Sequence, residues 1–386
     1  MENINIIKNC CGCGNCSLNC PKNAISMVYD DEGFLKPVIN LNECIDCGIC
    51  LKSCSNYNDY SKNNYKKKYL GFINDNKDEI IKSSSGGFAF FISKFFIDNG
   101  GYVCGCVFDD NLNAIHIVSN KIEDIKKMCF SKYVQSNLAK VFVEIKKLLN
   151  NNKNVLFIGT PCQVHALNLF LKKDISNLLT IDLICHGVPS PILFKNYIVY
   201  LSNKKKSKVK AYCFRYKKNN KWGGNYYCKI DYENGKKEIK PLYLDKYGND
   251  FIGAKNYRES CYECRFSSIE NRPADLTIGD FWGIFGSNHK KNYNYGASSI
   301  IINSKKGEKI IDLIYDNNFF ECSETEILEK QNNLKKPTPR PKCRNTYYKN
   351  LNNNFFEKKL IILNFKEVLK LIIPYNIRKI MKKIFK

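Results

Sequence analysis

Cys10-Cys11-Gly12-Cys13-Gly14-Asn15-Cys16, followed by Cys20-Pro21, opens the stretch that decides the N-terminal fold. The same C-x2-C-x2-C-x3-C spacing returns as Cys44, Cys47, Cys50 and Cys54. Three thiols two residues apart wrap three irons of one four-iron cube, and the fourth is carried away toward a second cube. The spacing assigns Cys10, Cys13, Cys16 and Cys54 to one 4Fe–4S cluster, and Cys44, Cys47, Cys50 and Cys20 to another. Ser55 stands where the first run has Pro21. Paired C-x2-C knuckles also bind zinc, but a zinc site closes with four ligands and rarely needs a third cysteine inside one knuckle. The runs are offset by 34 residues (44 − 10), an internal duplication. Residues 1–57 are too few for a large apolar core, so bound metal is expected to supply much of their folding free energy.

Outward from that stretch, 386 residues suggest two or three domains. The formal net charge of +24 invites a nucleic-acid reading. However, cluster thiolates offset part of it, the lysines are scattered among asparagines, and no nucleic-acid motif accompanies them. No nucleic-acid partner is expected. Met1 to Asn9 lack the apolar centre of a signal peptide, and no run of about eighteen uncharged apolar residues occurs. Twenty cysteines without a secretory signal point to metal ligation in a reducing compartment, hence to the cytoplasm.

The segment 58–68 is polar, lysine-rich and aperiodic, a linker. From residue 69 to 336 the pattern alternates. Phe88 to Ile97, Ile122 to Met128 and Leu138 to Leu149 have helical periodicity. Tyr102–Phe108, Ala114–Val118, Val155–Gly159, Leu178–Ile184, Val209–Tyr216, Tyr226–Tyr232, Leu276–Gly279 and Ser298–Ile302 read as strands. The expected fold class is α/β (α+β): a two-cluster ferredoxin module, a mixed-sheet domain flanked by helices, and a helical tail over 337–386.

Six blocks occur in order along this domain: Ser85-Gly86-Gly87, Ser131 to Ser136, Gly159-Thr160-Pro161-Cys162-Gln163, Asp182 to Gly187, Ser260 to Cys264, and Asp275 to Gly283. The chain resembles the beta-subunit family of coenzyme F420 (deazaflavin) hydrogenases and dehydrogenases over roughly residues 5 to 315. Its ferredoxin fusion is common in that family, and the chain looks most like a bacterial branch found among polysaccharide-biosynthesis proteins, in which deazaflavin is not generally expected. The resemblance implies an FAD-dependent iron–sulfur oxidoreductase.

Cys162 and Cys185 each follow a strand's carboxyl end, where open α/β sheets place their sites. With Cys261 and Cys264 they make four thiols from three segments, enough for a third 4Fe–4S cluster, and the resemblance implies the same set. The alternative is two ordinary buried cysteines beside a zinc half-site. The remaining eight cysteines, Cys11, Cys106 and Cys129 among them, are expected to be mostly core residues. Ser85, Gly86 and Gly87 at a helix entrance offer backbone N–H groups to the FAD pyrophosphate, or form a simple turn. Lys132 suits a phosphate or the reduced flavin, or is a solvated surface lysine. Tyr133 and Asp280 join them as FAD contacts on the strength of the resemblance, although caps and turns use Asp too. Arg215, Trp222 and Arg272 are candidates for an acceptor pocket, and His186 for tuning a cluster. The implied donor is ferredoxin or another redox protein, and the implied acceptor a small molecule such as a sugar or nucleotide-sugar. A non-catalytic electron-transfer subunit is the alternative function, and a structural metal-binding protein survives only if the metals are zinc.

After Pro337-Thr338-Pro339-Arg340-Pro341 the blocks end. Phe355 to Lys386 mixes Leu, Ile and Phe with many lysines, and Pro374 divides it into two expected amphipathic helices. These would either lie on the anionic inner face of the membrane as a peripheral contact or pack on the body with lysines outward.

Overall fold

Val155–Gly159, an uncharged apolar run, lies at the centre of the main sheet. The computed structural model describes residues 3–58, 64–138, 140–172, 174–223, 226–287, 289, 291–349, 351 and 355–361. In chain order the strands are β1 (Ile25–Tyr29), β2 (Leu35–Ile39), β3 (Lys68–Phe72), β4 (Tyr102–Phe108), β5 (Ala114–Ser119), β6 (Val155–Gly159) and β7 (Leu178–Leu183). They continue as β8 (Val209–Tyr216), β9 (Tyr227–Tyr232), β10 (Lys237–Pro241), β11 (Leu276–Asp280), β12 (Ser298–Ile302) and β13 (Phe319–Glu321).

The eight-stranded sheet has the order β13-β3-β12-β11-β7-β6-β4-β5. Its four central strands, β11, β7, β6 and β4, run parallel, and the flanking strands pair antiparallel. Helices cover both faces, which is why the central strands read as continuous apolar runs. Val103, Leu156 and Ile278 meet α1 (Phe88–Asp98) and α2 (Ile122–Met128) on one side. Val155, Phe157 and Leu178 meet α3 (Val141–Asn150) and α4 (Pro161–Leu171) on the other. The expected mixed α/β architecture is therefore the observed one. The linker ends a residue early, because Lys68 already pairs with Ile302; residues 59–63 of it lie outside the described residues.

A second antiparallel sheet, β10-β9-β8, packs on α5 (Pro191–Lys205) through Phe194, Tyr197, Tyr212 and Phe214. The start of the tail joins this aromatic core. Phe356, in the short helix Phe355–Lys358, is 1% exposed and packs tilted against Tyr197 with ring centroids 4.7 Å apart. Lys359 pairs with buried Asp250. That part of the tail follows the packed alternative, while 362–386, including Pro374, lie outside the described residues. No helix among the described residues is long and apolar enough to cross a membrane.

The membrane contact remains an expectation for 362–386 alone, and it has a direct test. The full chain should sediment with anionic but not zwitterionic vesicles, more weakly as salt rises, because each lysine near the surface contributes on the order of 1 kcal/mol and is screened. Truncation after residue 361 should abolish this without touching iron content. Equal sedimentation of the truncated chain would refute it.

A candidate redox site at the carboxyl ends of the parallel strands

The ferredoxin module repeats one local device. Gly14 (φ +77°) and Gly48 (φ +69°) each open a one-turn helix, Asn15–Leu18 and Ile49–Lys52, in the left-handed conformation that glycine adopts without strain. Each turn thereby follows one cysteine and carries the next, Cys13 to Cys16 and Cys47 to Cys50. Around the first loop, Cys10, Cys54 and Cys16 lie close enough to feel one another's charge. Burial, reinforced by these neighbours, pushes the Cys16 thiol up to about 12 and Cys54 to about 11. A bound cation reverses that effect by stabilising the thiolate. Cys20, Cys44, Cys47 and Cys50 rim a separate small cavity with Pro21, Ile25 and Ile39. Backbone N–H groups already point at sulfur, Gly12 at Cys10 (3.2 Å) and Ala24 at Cys20 (3.3 Å). Among the described residues no three His, Cys, Asp or Glu side chains converge closely enough for a single ion; these thiols are instead grouped around spaces. The thiols of each run thus lie near one another, and cysteine thiolates are the donors that four-iron clusters take.

The module docks on the carboxyl ends of the parallel strands. Asn15 Nδ2 donates to the Ala166 carbonyl of α4 at 3.1 Å. Ser55 is fully buried, and its hydroxyl donates to the Cys162 carbonyl at 3.3 Å. The departure from proline at this position thus has a purpose. It links the residue after Cys54 to a member of the third quartet.

Cys162, Cys185, Cys261 and Cys264 lie near one another. Cys162 occupies the first turn of α4, after Pro161 at its first position. Cys185 follows β7, and Cys261 sits on the turn Glu259–Tyr262. Cys264 is a near neighbour of Cys162, Cys185 and Cys261. Burial pushes Cys185 up to about 12 and Cys261 further, opposed by N–H bonds from Gly187 and Val188. Arg272 braces the group from behind. Its guanidinium donates to Asp182 (2.5 Å) and to the carbonyls of Leu183 (2.8 Å) and Phe266 (2.9 Å), tying the end of β7 to the loop after Cys264. Arg272 is therefore a strut and does not line the expected acceptor pocket.

Beside the quartet opens a cavity of 320 Å³, lined by Cys162, Cys185, His186, Cys11 and Cys13 at one end. The Cys11 thiol is within hydrogen-bonding reach of both Cys13 and Cys162. Ser85, Gly87, Lys132, Tyr133 and Asp280 also line it, so five of the six expected cofactor contacts are brought together. Gly86 is behind the wall. A methyl there would press into the Phe72 carbonyl and the Ser298 amide, while its own N–H donates to Ser298 Oγ at 3.0 Å. Gly87 (φ +91°) caps α1, whose N-terminus opens on the cavity.

Lys132 is no solvated lysine. Its ammonium donates to the carbonyls of Lys127, Met128, Cys129 and Phe130 at 2.8 to 3.2 Å, a cation at the C-terminus of α2. Asp280 is gripped by Arg215 through two bonds of 2.9 Å and by Trp222 Nε1 at 3.1 Å. Trp222 in turn stacks on the cavity residue Trp282 at 4.7 Å. Tyr133 stacks on Phe251 at 3.9 Å.

Three residues escaped the sequence reading. Lys217 donates to the Ile80 and Ser85 carbonyls at 2.6 and 2.7 Å and so fixes the serine loop. Burial and nearby Arg215 push its ammonium down to about 7. His116 lines the cavity against Phe157 and is pushed down to about 4 by burial, hence neutral at pH 7. Gln135 joins the cavity wall to the Cys11 carbonyl at 2.8 Å. Three of the spare thiols, Cys11, Cys106 and Cys129, line the cavity as well.

Comparison with known proteins returns two family models. Residues 152–327 match the C terminus of the coenzyme F420 hydrogenase/dehydrogenase beta subunit, and residues 9–57 match the 4Fe-4S dicluster domain. Among solved structures, the chain is similar to one in the xenon-derivatised F420-reducing NiFe hydrogenase complex from Methanosarcina barkeri. The identity is 18% and the TM-score 0.47, over 75% of this chain and 95% of that one. No curated protein matches.

Proposed function

From a chain whose residues 152–327 match the C terminus of the coenzyme F420 hydrogenase/dehydrogenase beta subunit, and whose residues 9–57 match a 4Fe–4S dicluster domain, we propose an iron–sulfur flavoprotein oxidoreductase. Electrons from ferredoxin or another redox protein enter at the Cys20, Cys44, Cys47 and Cys50 cluster. They move inward to the Cys10, Cys13, Cys16 and Cys54 cluster and then to a third, on Cys162, Cys185, Cys261 and Cys264. The observation that supports this order is a shared wall: Cys13 of the second station and Cys162 and Cys185 of the third line the same cavity.

Several groups on the cavity wall suit FAD. The N-terminus of α1 and the loop Ser83 to Ser85, held from behind by Lys217, offer donors to phosphate. Lys132 supplies a buried positive charge. Arg215 holds the Asp280 carboxylate in place along the wall. A bound flavin supplies the pairing of single electrons into a two-electron transfer. The acceptor we favour is a small organic molecule, a sugar or nucleotide-sugar, on the family resemblance.

Lys132→Met keeps the packing of the stem and removes the charge. It should weaken FAD retention about tenfold, equivalent to 1.4 kcal/mol, read by anaerobic flavin titration. To test the function itself, FAD-loaded, reduced protein is mixed anaerobically with candidate acceptors. Reoxidation by a small molecule with no second protein present is the expected result. If every reoxidation needs a partner protein, the chain is an electron-transfer subunit instead.

A further inference from the structure

Arg258 lies at the seam between the ferredoxin module and the main domain, 3% exposed. Its Nε donates to the Cys10 carbonyl at 2.5 Å, its Nη2 to the Leu35 carbonyl at 2.7 Å, and its Nη1 to Gln135 Oε1 at 3.0 Å. All three acceptors are neutral. The other deeply buried arginines each hold a carboxylate: Arg215 has Asp280, Arg272 has Asp182, and Arg344 has Glu32. Among the described residues Arg258 has none within ion-pair distance.

A guanidinium stays charged at any accessible pH, and burying it without an anion is costly. The fold nevertheless makes room for it. Gly12 (φ +68°) stands where a methyl would come within 2.8 Å of Nη1 and of Gln135 Nε2, so the first cysteine loop is cut away around the guanidinium. The Phe34 ring lies 5.2 Å from the guanidinium, and the groups nearby that can carry negative charge are thiols. The cation's field reaches Cys10 and Cys11 on one side and Cys261 on the other. It is not among the residues that rim the cavity of Cys20, Cys44, Cys47 and Cys50.

We propose that Arg258 is the shared counter-ion of the two inner clusters and that its charge raises both their reduction potentials relative to the outer cluster. The proposal rests on the three-cluster reading above. A four-iron cluster with four thiolates is already negative, and each electron it accepts deepens that charge. A fixed cation nearby, poorly screened in the interior, therefore favours the reduced form. No proton need accompany the electron, because the arginine carries its charge throughout. One electron leaves the outer cluster and one arrives at the next, drawn downhill toward the cavity.

The test is potentiometric titration of the anaerobic full-length protein, followed by electron paramagnetic resonance. In Arg258→Gln, the ratio of reduced to oxidised inner clusters at a fixed poise should fall about tenfold or more, 59 mV for a one-electron couple. The outer cluster should be unmoved. Arg258→Lys keeps the charge and should restore most of the shift. Unchanged potentials in an iron-replete Arg258→Gln protein would overturn the proposal, as would an equal shift of all three clusters. Loss of iron from both variants alike would also overturn it, by assigning Arg258 a scaffolding role. A wild-type protein with only about eight irons would overturn the three-cluster reading instead.

Discussion

Cys261→Ser should lower the iron content by about a third, from about twelve to about eight atoms per chain, and leave both ferredoxin-module clusters intact. Cys261 lies on the turn Glu259–Tyr262, and its quartet partners come from α4 and the end of β7, so none of the module's ligands depends on it. The consequence for electron flow is larger than the loss of iron. The module's two clusters should still be reduced by dithionite, while added FAD should no longer be reduced through them. Unchanged iron, measured alongside sulfide, would refute the third-cluster assignment.

The second large effect is structural. In Gly86→Ala the new methyl meets backbone on both sides, the Phe72 carbonyl of β3 and the Ser298 amide of β12, and neither can retreat without breaking the sheet. Overpacking against immobile backbone should cost about 3 kcal/mol or more, lowering the melting temperature of a 386-residue chain by roughly 4 °C or more. The adjoining serine loop is displaced with it, so FAD retention should fall too. Gly100→Ala is the control. Space is open there and only the left-handed backbone (φ +72°) is strained, for about 1 kcal/mol. Equal destabilisation by the two substitutions would contradict this account of Gly86.

These effects divide along a line that also separates what the sequence discloses from what it hides. Strand spans such as Tyr102–Phe108, Val155–Gly159 and Ser298–Ile302 are legible to the residue, because strands covered on both faces carry largely apolar runs. The cysteine runs are legible because cluster geometry demands fixed spacing over a few residues. Arg258 carries no such signal. Its partners are 123 to 248 positions away in the chain, and a lone arginine before Glu259 looks like a surface residue. Lys217 and Gln135 are hidden for the same reason.

Other residues are visible but ambiguous. Arg272 and Arg215 are both buried arginines with aspartate partners, yet one braces Cys185 from behind while the other faces the cavity. Only tertiary placement separates them. Lys132 invites a role at a ligand, and the sequence does not reveal that its ammonium is already committed to the end of α2. Ser55 looks like a weakened motif and is instead a hydrogen-bonded joint between the ferredoxin module and the first turn of α4.

The most direct test of the central claim is stoichiometric analysis of iron, sulfide and flavin in anaerobically purified wild-type protein reconstituted with excess FAD. We expect about twelve irons, an equal amount of sulfide, and one FAD per chain, with the flavin reduced when electrons are supplied to the ferredoxin module. Full iron with no flavin retained, or zinc in place of iron, would contradict it.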